Sequence, residues 1–192
     1  MQPQGPYHLV GWSLGGVIAH AMAVLLQADG ERVALLAVLD SVLEVDSVAA
    51  PAQRQGLSAP PLADLIGGLL PDVVGQGLDA ALTTEQLVEV ISELPEPFSS
   101  FGIDRIERAV SAAAESLATM RRYRPRAFKG ELWYFTAAQD DPTGTRNVAN
   151  WEAAVDGVIH NHAVDATHWQ LAAPAALARI GRVLDAAIRN VK

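Results

Sequence analysis

The 192-residue sequence contains no cysteine, which excludes disulfide bonds and a thiolate nucleophile and fits the cytoplasmic location that we expect. Basic residues are also few: 14 Lys and Arg stand against 22 Asp and Glu, for a net charge of −8. Such a surface repels phosphate backbones and anionic lipid heads. We therefore expect neither nucleic acid nor a membrane as a partner.

Long hydrophobic runs are absent as well. The apolar run from Val17 to Leu26 is interrupted by His20 and is too short to span a bilayer, and the N-terminus has no signal-peptide pattern. Hydrophobic residues make up 50% of the chain and charged residues 19%, as is typical of a globular domain with a sizeable core.

The first 40 residues indicate a right-handed βαβ unit. Residues 7–11 form a short apolar run that ends in a glycine, and apolar residues then recur with helical spacing over residues 15–30. Residues 33–39 form a continuous apolar run, typical of a parallel strand buried on both faces, and Asp40 follows it.

The pattern changes between residues 41 and 128, where prolines and glycines separate amphipathic stretches and no strand pattern is found. This segment is too long for an ordinary connection, so we predict a helical insertion. Residues 131–136 and 157–162 then predict two strands, and residues 171–191 a closing helix. The whole order predicts an α/β fold with a mainly parallel sheet of about four strands.

The motif Gly11-Trp12-Ser13-Leu14-Gly15 matches the G-x-S-x-G pattern and lies between the first predicted strand and helix. The glycines allow a turn that exposes the serine above the sheet, and the helix N-terminus favours negative charge beside it. We therefore predict Ser13 as a nucleophile, rather than a structural turn serine. The backbone N–H of Leu14 is the predicted oxyanion donor.

A serine nucleophile needs a histidine to remove its proton. His168 lies in a polar loop between the last predicted strand and helix, where a base can reach the carboxyl ends of the strands. His8 and His20 fall inside the first strand and helix, so we interpret them as packed or surface residues. His160 and His162 share one strand face and could form a metal site with His168, but no zinc-binding motif accompanies them and we predict no metal.

The histidine in turn needs a carboxylate to orient it. Asp40 follows the strand next to the one that delivers Ser13. Asp140 and Asp141 follow the next strand and could serve equally well. Strand order and spacing leave both possibilities open.

Residues 2–16, from Gln2 to Gly16, resemble the nucleophile region of the thioesterase domains that terminate nonribosomal peptide synthetases and polyketide synthases. The resemblance continues through residues 30–33 to Leu39-Asp40-Ser41 and resumes at Thr167-His168-Trp169. It implies an α/β-hydrolase fold with Ser13, Asp40 and His168 as a catalytic triad, and a helical lid over about residues 41–128.

The resemblance also implies the reaction. The substrate would be an acyl or peptidyl chain held as a thioester on the phosphopantetheine of a carrier domain, released by hydrolysis or cyclisation with no cofactor bound by the domain itself. The alternatives are a serine esterase acting on free small esters and an inactive fragment or interaction module.

The resembled domains have several strands before the serine, including the loop that donates a second oxyanion N–H, whereas this sequence starts close to the serine strand. We therefore expect residues 1–192 to form a partial α/β-hydrolase fold lacking its N-terminal strands, completed by an N-terminal half or by upstream synthetase modules. Alone, it should be weakly active, and it should be unstable or should self-associate through an unpaired strand edge.

Overall fold

The computed structural model describes residues 4–43, 123–144 and 148–190, together with isolated helical positions between 105 and 119. The chain divides into two compact units, one of Met1–Asp46 with Met120–Lys192 and the other of Ser47–Thr119. The predicted lid at residues 41–128 lies almost entirely outside the described residues. The elements below all belong to the first unit.

The regular elements of this unit are strands and helices. In chain order they are β1 (Tyr7–Trp12), α1 (Leu14–Ala28), β2 (Val33–Leu39), β3 (Phe128–Lys129), β4 (Leu132–Ala137), β5 (Val155–Asp156), β6 (Ile159–Val164) and α2 (Pro174–Asn190). Two 3₁₀ helices cover Val148–Ala154 and Trp169–Ala172. No described helix has the length and apolar character needed to cross a membrane.

The main sheet is parallel and has four strands in the order β1-β2-β4-β6. This confirms the predicted α/β fold and number of strands. A second sheet pairs β3 with β5, and strands of two residues are too short for a periodic pattern to predict. The last strand begins at Ile159 rather than at residue 157.

Each face of the main sheet packs against one of the long helices. The alternation within β2 divides its side chains between two cores: Leu36 and Val38 lie with residues of α1, and Leu35, Ala37 and Leu39 lie with residues of α2. Burial on both faces explains why residues 33–39 are continuously apolar.

Strand β1 lies at one end of the main sheet. Its residues pair with β2 on one side, and no described strand pairs with its other edge. Val10, in the middle of β1, is 54% exposed. The strand that leads to Ser13 therefore has an open outer edge within the described part of the chain.

Candidate active site

Ser13 occupies the turn between β1 and α1 in a backbone conformation that side chains rarely adopt, with φ 54° and ψ −127°. A positive φ at a residue other than glycine persists only where the surroundings fix it. Two hydrogen bonds do so: the Ser13 N–H donates to the Leu39 carbonyl at 3.0 Å, and the Ser13 carbonyl accepts from the Gly16 N–H at 3.0 Å. The turn is thus fixed against the carboxyl end of β2.

The glycines around Ser13 have different roles. A methyl group at Gly11 would collide with the Gly15 carbonyl oxygen, and one at Gly16 would collide with the Ser41 side chain and lie 2.8 Å from the Val38 Cγ1. A methyl group at Gly15 would meet no atom of the described residues within 4 Å. The tight turn therefore requires glycine at position 11, and the close packing of α1 on β2 requires glycine at position 16. The second glycine of the G-x-S-x-G motif, Gly15, is not required by either contact.

Leu14 is the first residue of α1, so its N–H belongs to the turn whose N–H groups lack partners within the helix. The Ser13 side chain makes no capping hydrogen bond at this end of the helix, and the first helical turn contains no acidic residue. The positive end of the helix therefore remains available to an anion beside Ser13.

Asp40 immediately follows β2, and only 7% of its side chain is exposed. Its Oδ2 lies 2.8 Å from Nδ1 of His168, and its Oδ1 accepts the Ala137 N–H at 3.3 Å. The Asp40 N–H donates to the Phe135 carbonyl at 2.8 Å. The end of β4 thus orients the carboxylate toward the imidazole.

Two buried aromatic side chains hold the residue after Asp40. The Ser41 carbonyl accepts hydrogen bonds from the Tyr134 hydroxyl at 3.1 Å and from Nε1 of Trp151 at 2.9 Å. Sequence reasoning missed both residues, since an aromatic side chain in an apolar stretch looks like ordinary core. These bonds fix the backbone directly after Asp40.

His168 lies between β6 and the 3₁₀ helix Trp169–Ala172, with 23% of its side chain exposed. Its N–H donates to the Oδ2 of Asp140, and its carbonyl accepts from Nε1 of Trp12 at 3.1 Å. The imidazole lies against the Trp12 indole, with ring centroids 5.4 Å apart. The main chain of His168 is thus held on both sides of its Cα.

The three carboxylates considered for orienting the histidine therefore have different partners. Asp40 contacts the imidazole, Asp140 accepts the backbone N–H of the same residue, and Asp141 accepts the Thr143 hydroxyl at 2.7 Å. The geometry favours Asp40 as the group that fixes the ring.

His20 is fully buried and lies outside this site. Its Nε2 donates to the Ala154 carbonyl at 2.8 Å, so its Nδ1, 3.2 Å from the Tyr123 hydroxyl, is the acceptor of that group's hydrogen. Burial lowers the pKa of His20 below its ordinary value of 6.5, although the bond to Ala154 acts in the opposite direction. His20 is a packed residue, as the sequence predicted, and His8 is exposed on β1.

His160 and His162 share one face of β6, as predicted, and both stack on Trp133 of β4, with ring centroids 4.4 Å and 5.5 Å away. His160 also pairs with Glu131 at 3.0 Å. The structure thus brings these two histidines to an aromatic side chain, whereas His168 lies with Asp40. The described residues include no group of three His, Asp or Glu side chains arranged to hold a metal ion.

A parallel sheet with a serine at a strained strand-to-helix turn, and with an imidazole bonded to a carboxylate after the next strand, is the architecture of an α/β serine hydrolase. The sequence narrows this class. Residues 1–187 match the family described as "Thioesterase domain", and the chain belongs to that family.

Individual proteins of known sequence are also similar to this chain. The chain is 33% identical over 190 residues to a dimodular nonribosomal peptide synthase of Bacillus subtilis, an alignment that covers 96% of this chain and 8% of that protein. The chain spans less than a tenth of the length of this protein and of two other curated relatives.

Two solved structures share the fold. A four-domain nonribosomal peptide synthetase superposes with a TM-score of 0.76 at 16% identity, over 97% of this chain and 14% of that one. The NocB thioesterase domain superposes with a TM-score of 0.56 at 21% identity, over 97% of this chain and 68% of that one.

Proposed function

We propose that this thioesterase domain releases an acyl or peptidyl chain from the phosphopantetheine thioester of a carrier domain, through an acyl-enzyme on Ser13. His168 is the general base and Asp40 the carboxylate that orients it. The observation that carries the proposal is the 2.8 Å bond between Asp40 Oδ2 and His168 Nδ1. This bond lies at the edge of the sheet where β2 ends, and the Ser13 N–H donates to the last carbonyl of β2 at the same edge.

The bond to Asp40 defines which atom of the imidazole reacts. Because the carboxylate accepts a hydrogen from Nδ1, the neutral ring carries its proton there and Nε2 has the free lone pair. Nε2 is thus the atom that takes the proton of the Ser13 hydroxyl. Asp40 then stabilises the imidazolium that forms.

In acylation, the Oγ of Ser13 gives its proton to Nε2 of His168 and attacks the thioester carbonyl carbon. The resulting oxyanion lies at the N-terminus of α1, where the Leu14 N–H is the proposed donor. The C–S bond breaks, the phosphopantetheine sulfur takes the proton from the imidazolium, and the chain remains as an ester on Ser13. The domain itself needs no cofactor for this step.

In deacylation, water or a nucleophile of the bound chain gives a proton to His168 and attacks the ester. The C–Oγ bond then breaks, and the imidazolium returns the proton to Ser13. Water gives a free acid, whereas an internal amine or hydroxyl gives a ring. The triad chemistry is the same in both cases, so access to the ester determines the product.

The proposed partner is an acyl or peptidyl carrier domain, since the related proteins are synthetases many times longer than this chain. We further propose that an N-terminal half or upstream synthetase modules pair with the outer edge of β1, with which no described strand pairs. A cytoplasmic location is part of the proposal and is supported by the absence of cysteine.

The proposal can be tested with a fluorophosphonate probe and with acyl chains loaded on a carrier domain. The wild type should be labelled on Ser13 and should consume the carrier thioester, and Ser13→Ala should lose both activities while keeping its far-UV circular dichroism. Labelling of Ser13→Ala would show that another group is the nucleophile.

The same measurements separate the two alternatives. Turnover of soluble esters at rates above those of the carrier thioester would identify an esterase for free small esters. A folded wild type that neither reacts with the probe nor consumes any ester would identify an interaction module.

A further inference from the structure

We infer that Trp12 and Asp140 are positioning residues that hold the main chain of the proposed base, His168. The inference rests on the proposed function, because it concerns how accurately His168 meets Ser13. Neither side chain is assigned a part in the proton transfers described above.

Their contacts lie on the two peptide groups that flank the Cα of His168. The Oδ2 of Asp140 accepts the His168 N–H, and Nε1 of Trp12 donates to the His168 carbonyl at 3.1 Å. The Trp12 indole also lies against the imidazole at a tilt of 33°. Two hydrogen bonds and a ring contact therefore fix the backbone from which the imidazole projects.

His168 needs such support because it belongs to the connection between β6 and a short 3₁₀ helix, where no strand ladder fixes the chain. The bond to Asp40 holds only one atom of the ring and leaves the loop free to shift with it. Displacement of a catalytic group by about 1 Å can lower a rate by about 100-fold. Fixing the Cα and the ring together limits this displacement.

Both positioning residues are tied to the other members of the proposed triad. Trp12 directly precedes Ser13, so its indole connects the strand of the nucleophile to the loop of the base. Asp140 donates its N–H to the Ala137 carbonyl at 3.1 Å, and the Ala137 N–H donates to Asp40 at 3.3 Å. The last residue of β4 thus helps to hold the carboxylate that contacts the ring of His168, and the turn after β4 carries the carboxylate that accepts its backbone N–H.

The inference can be tested with Asp140→Ala, Asp140→Asn and Trp12→Phe in the intact protein, assayed on a carrier-linked acyl thioester. Asp140→Ala removes the acceptor and should lower kcat about 10- to 100-fold with KM within about 2-fold. Asp140→Asn keeps a carbonyl oxygen in place and should retain kcat within about 3-fold. Trp12→Phe keeps a ring against the imidazole but loses the N–H, and should lower kcat about 10-fold.

Asp165→Ala is the matched control, because Asp165 is another carboxylate of this region and accepts from the Gln139 side chain rather than from His168. It should leave kcat unchanged. Thermal unfolding midpoints show whether each variant is folded. If Asp140→Ala does not fold, the kcat of Trp12→Phe tests the inference instead.

Wild-type kcat in Trp12→Phe, or equal losses in Asp140→Ala and Asp140→Asn, would overturn the inference. The second result would assign the effect of Asp140 to its charge. Failure of the proposed function is recognised separately, because Ser13→Ala would then still react with a fluorophosphonate or the wild type would not react at all.

Discussion

The carboxylate of Asp40 contacts Nδ1 of His168 at 2.8 Å across 128 residues of sequence. The contact forms because β2 and β6 run in the same direction within one parallel sheet, so the residues that follow them emerge at the same edge. The turn of Ser13 is hydrogen-bonded to the last residue of β2 at that edge. The topology of the sheet therefore brings the three proposed triad residues to one side of the molecule.

Asp40→Asn should lower kcat about 10⁴-fold, because an amide facing Nδ1 favours the wrong histidine tautomer. Asparagine tolerates the positive φ of 44° at this position, so the fold should persist. The rate on a carrier-linked thioester is the measurement. Asp141→Asn, at a carboxylate that contacts Thr143, is the control and should cost little. A larger loss at Asp141 would move the acid to the turn after β4.

Gly16→Ala and Gly15→Ala should differ in their effect on stability. A methyl group at Gly16 would strike Ser41 and Val38, so the free energy of unfolding should fall by about 1 to 3 kcal/mol. At Gly15, within the first turn of α1, alanine should be neutral or should stabilise the helix by up to about 1 kcal/mol. Urea unfolding of the two variants measures the difference. Equal destabilisation would show that Gly15 also faces a close neighbour.

The free energy of unfolding should decrease as the pH falls below about 6.5. The folded protein lowers the pKa of His20 by burial, so the unfolded chain binds a proton more readily and acid favours unfolding. Burial and the charge of His160 lower the pKa of His162, which acts in the same direction. His20→Gln cannot titrate in this range and should lose stability less steeply between pH 6.5 and pH 5. An unchanged slope would contradict the prediction.

No strand in the described part of the chain pairs with the outer edge of β1, and such an edge predicts association between copies of the chain. Unpaired strand edges accept a further strand, and charged residues on them prevent this. Val10→Lys, at an exposed position of β1, should therefore raise the monomer fraction measured by sedimentation, whereas Val158→Lys, at an exposed residue outside the main sheet, should not. A wild type that stays monomeric at all concentrations would argue against an available edge.

The sequence predicted the elements whose periodicity is strong. The bounds of β2 match residues 33–39, and the strand and helix around Ser13 differ from the prediction by one or two residues, because continuous burial and helical spacing leave clear patterns. The pairing of β1 with β2 was expected from the rule that sequential parallel strands lie side by side. The strand ends led us to expect Asp40, Asp140 or Asp141 beside His168, and the resemblance favoured Asp40; in the structure Asp40 contacts the imidazole and Asp140 the backbone N–H.

Other features depend on contacts that leave no local pattern. The hydrogen bonds of Tyr134 and Trp151 to Ser41 join residues about 100 positions apart, and their side chains are indistinguishable in sequence from apolar core. A side chain does not fit at position 16 but does fit at position 15, and this difference depends on how closely α1 approaches β2. Asp140 was considered for the ring of His168, and its bond to the backbone of that residue depends on the loop conformation.

The contact between Trp12 and His168 makes the proposed base observable by intrinsic fluorescence. A protonated imidazole quenches a neighbouring indole more strongly than a neutral one, and the Trp12 and Trp169 rings both lie 5.4 Å from His168. Trp133 stacks on His160 and would contribute its own change with pH. The difference in emission between the wild type and His168→Gln isolates the His168 signal, so the protonation of the base could be followed without substrate, probe or label.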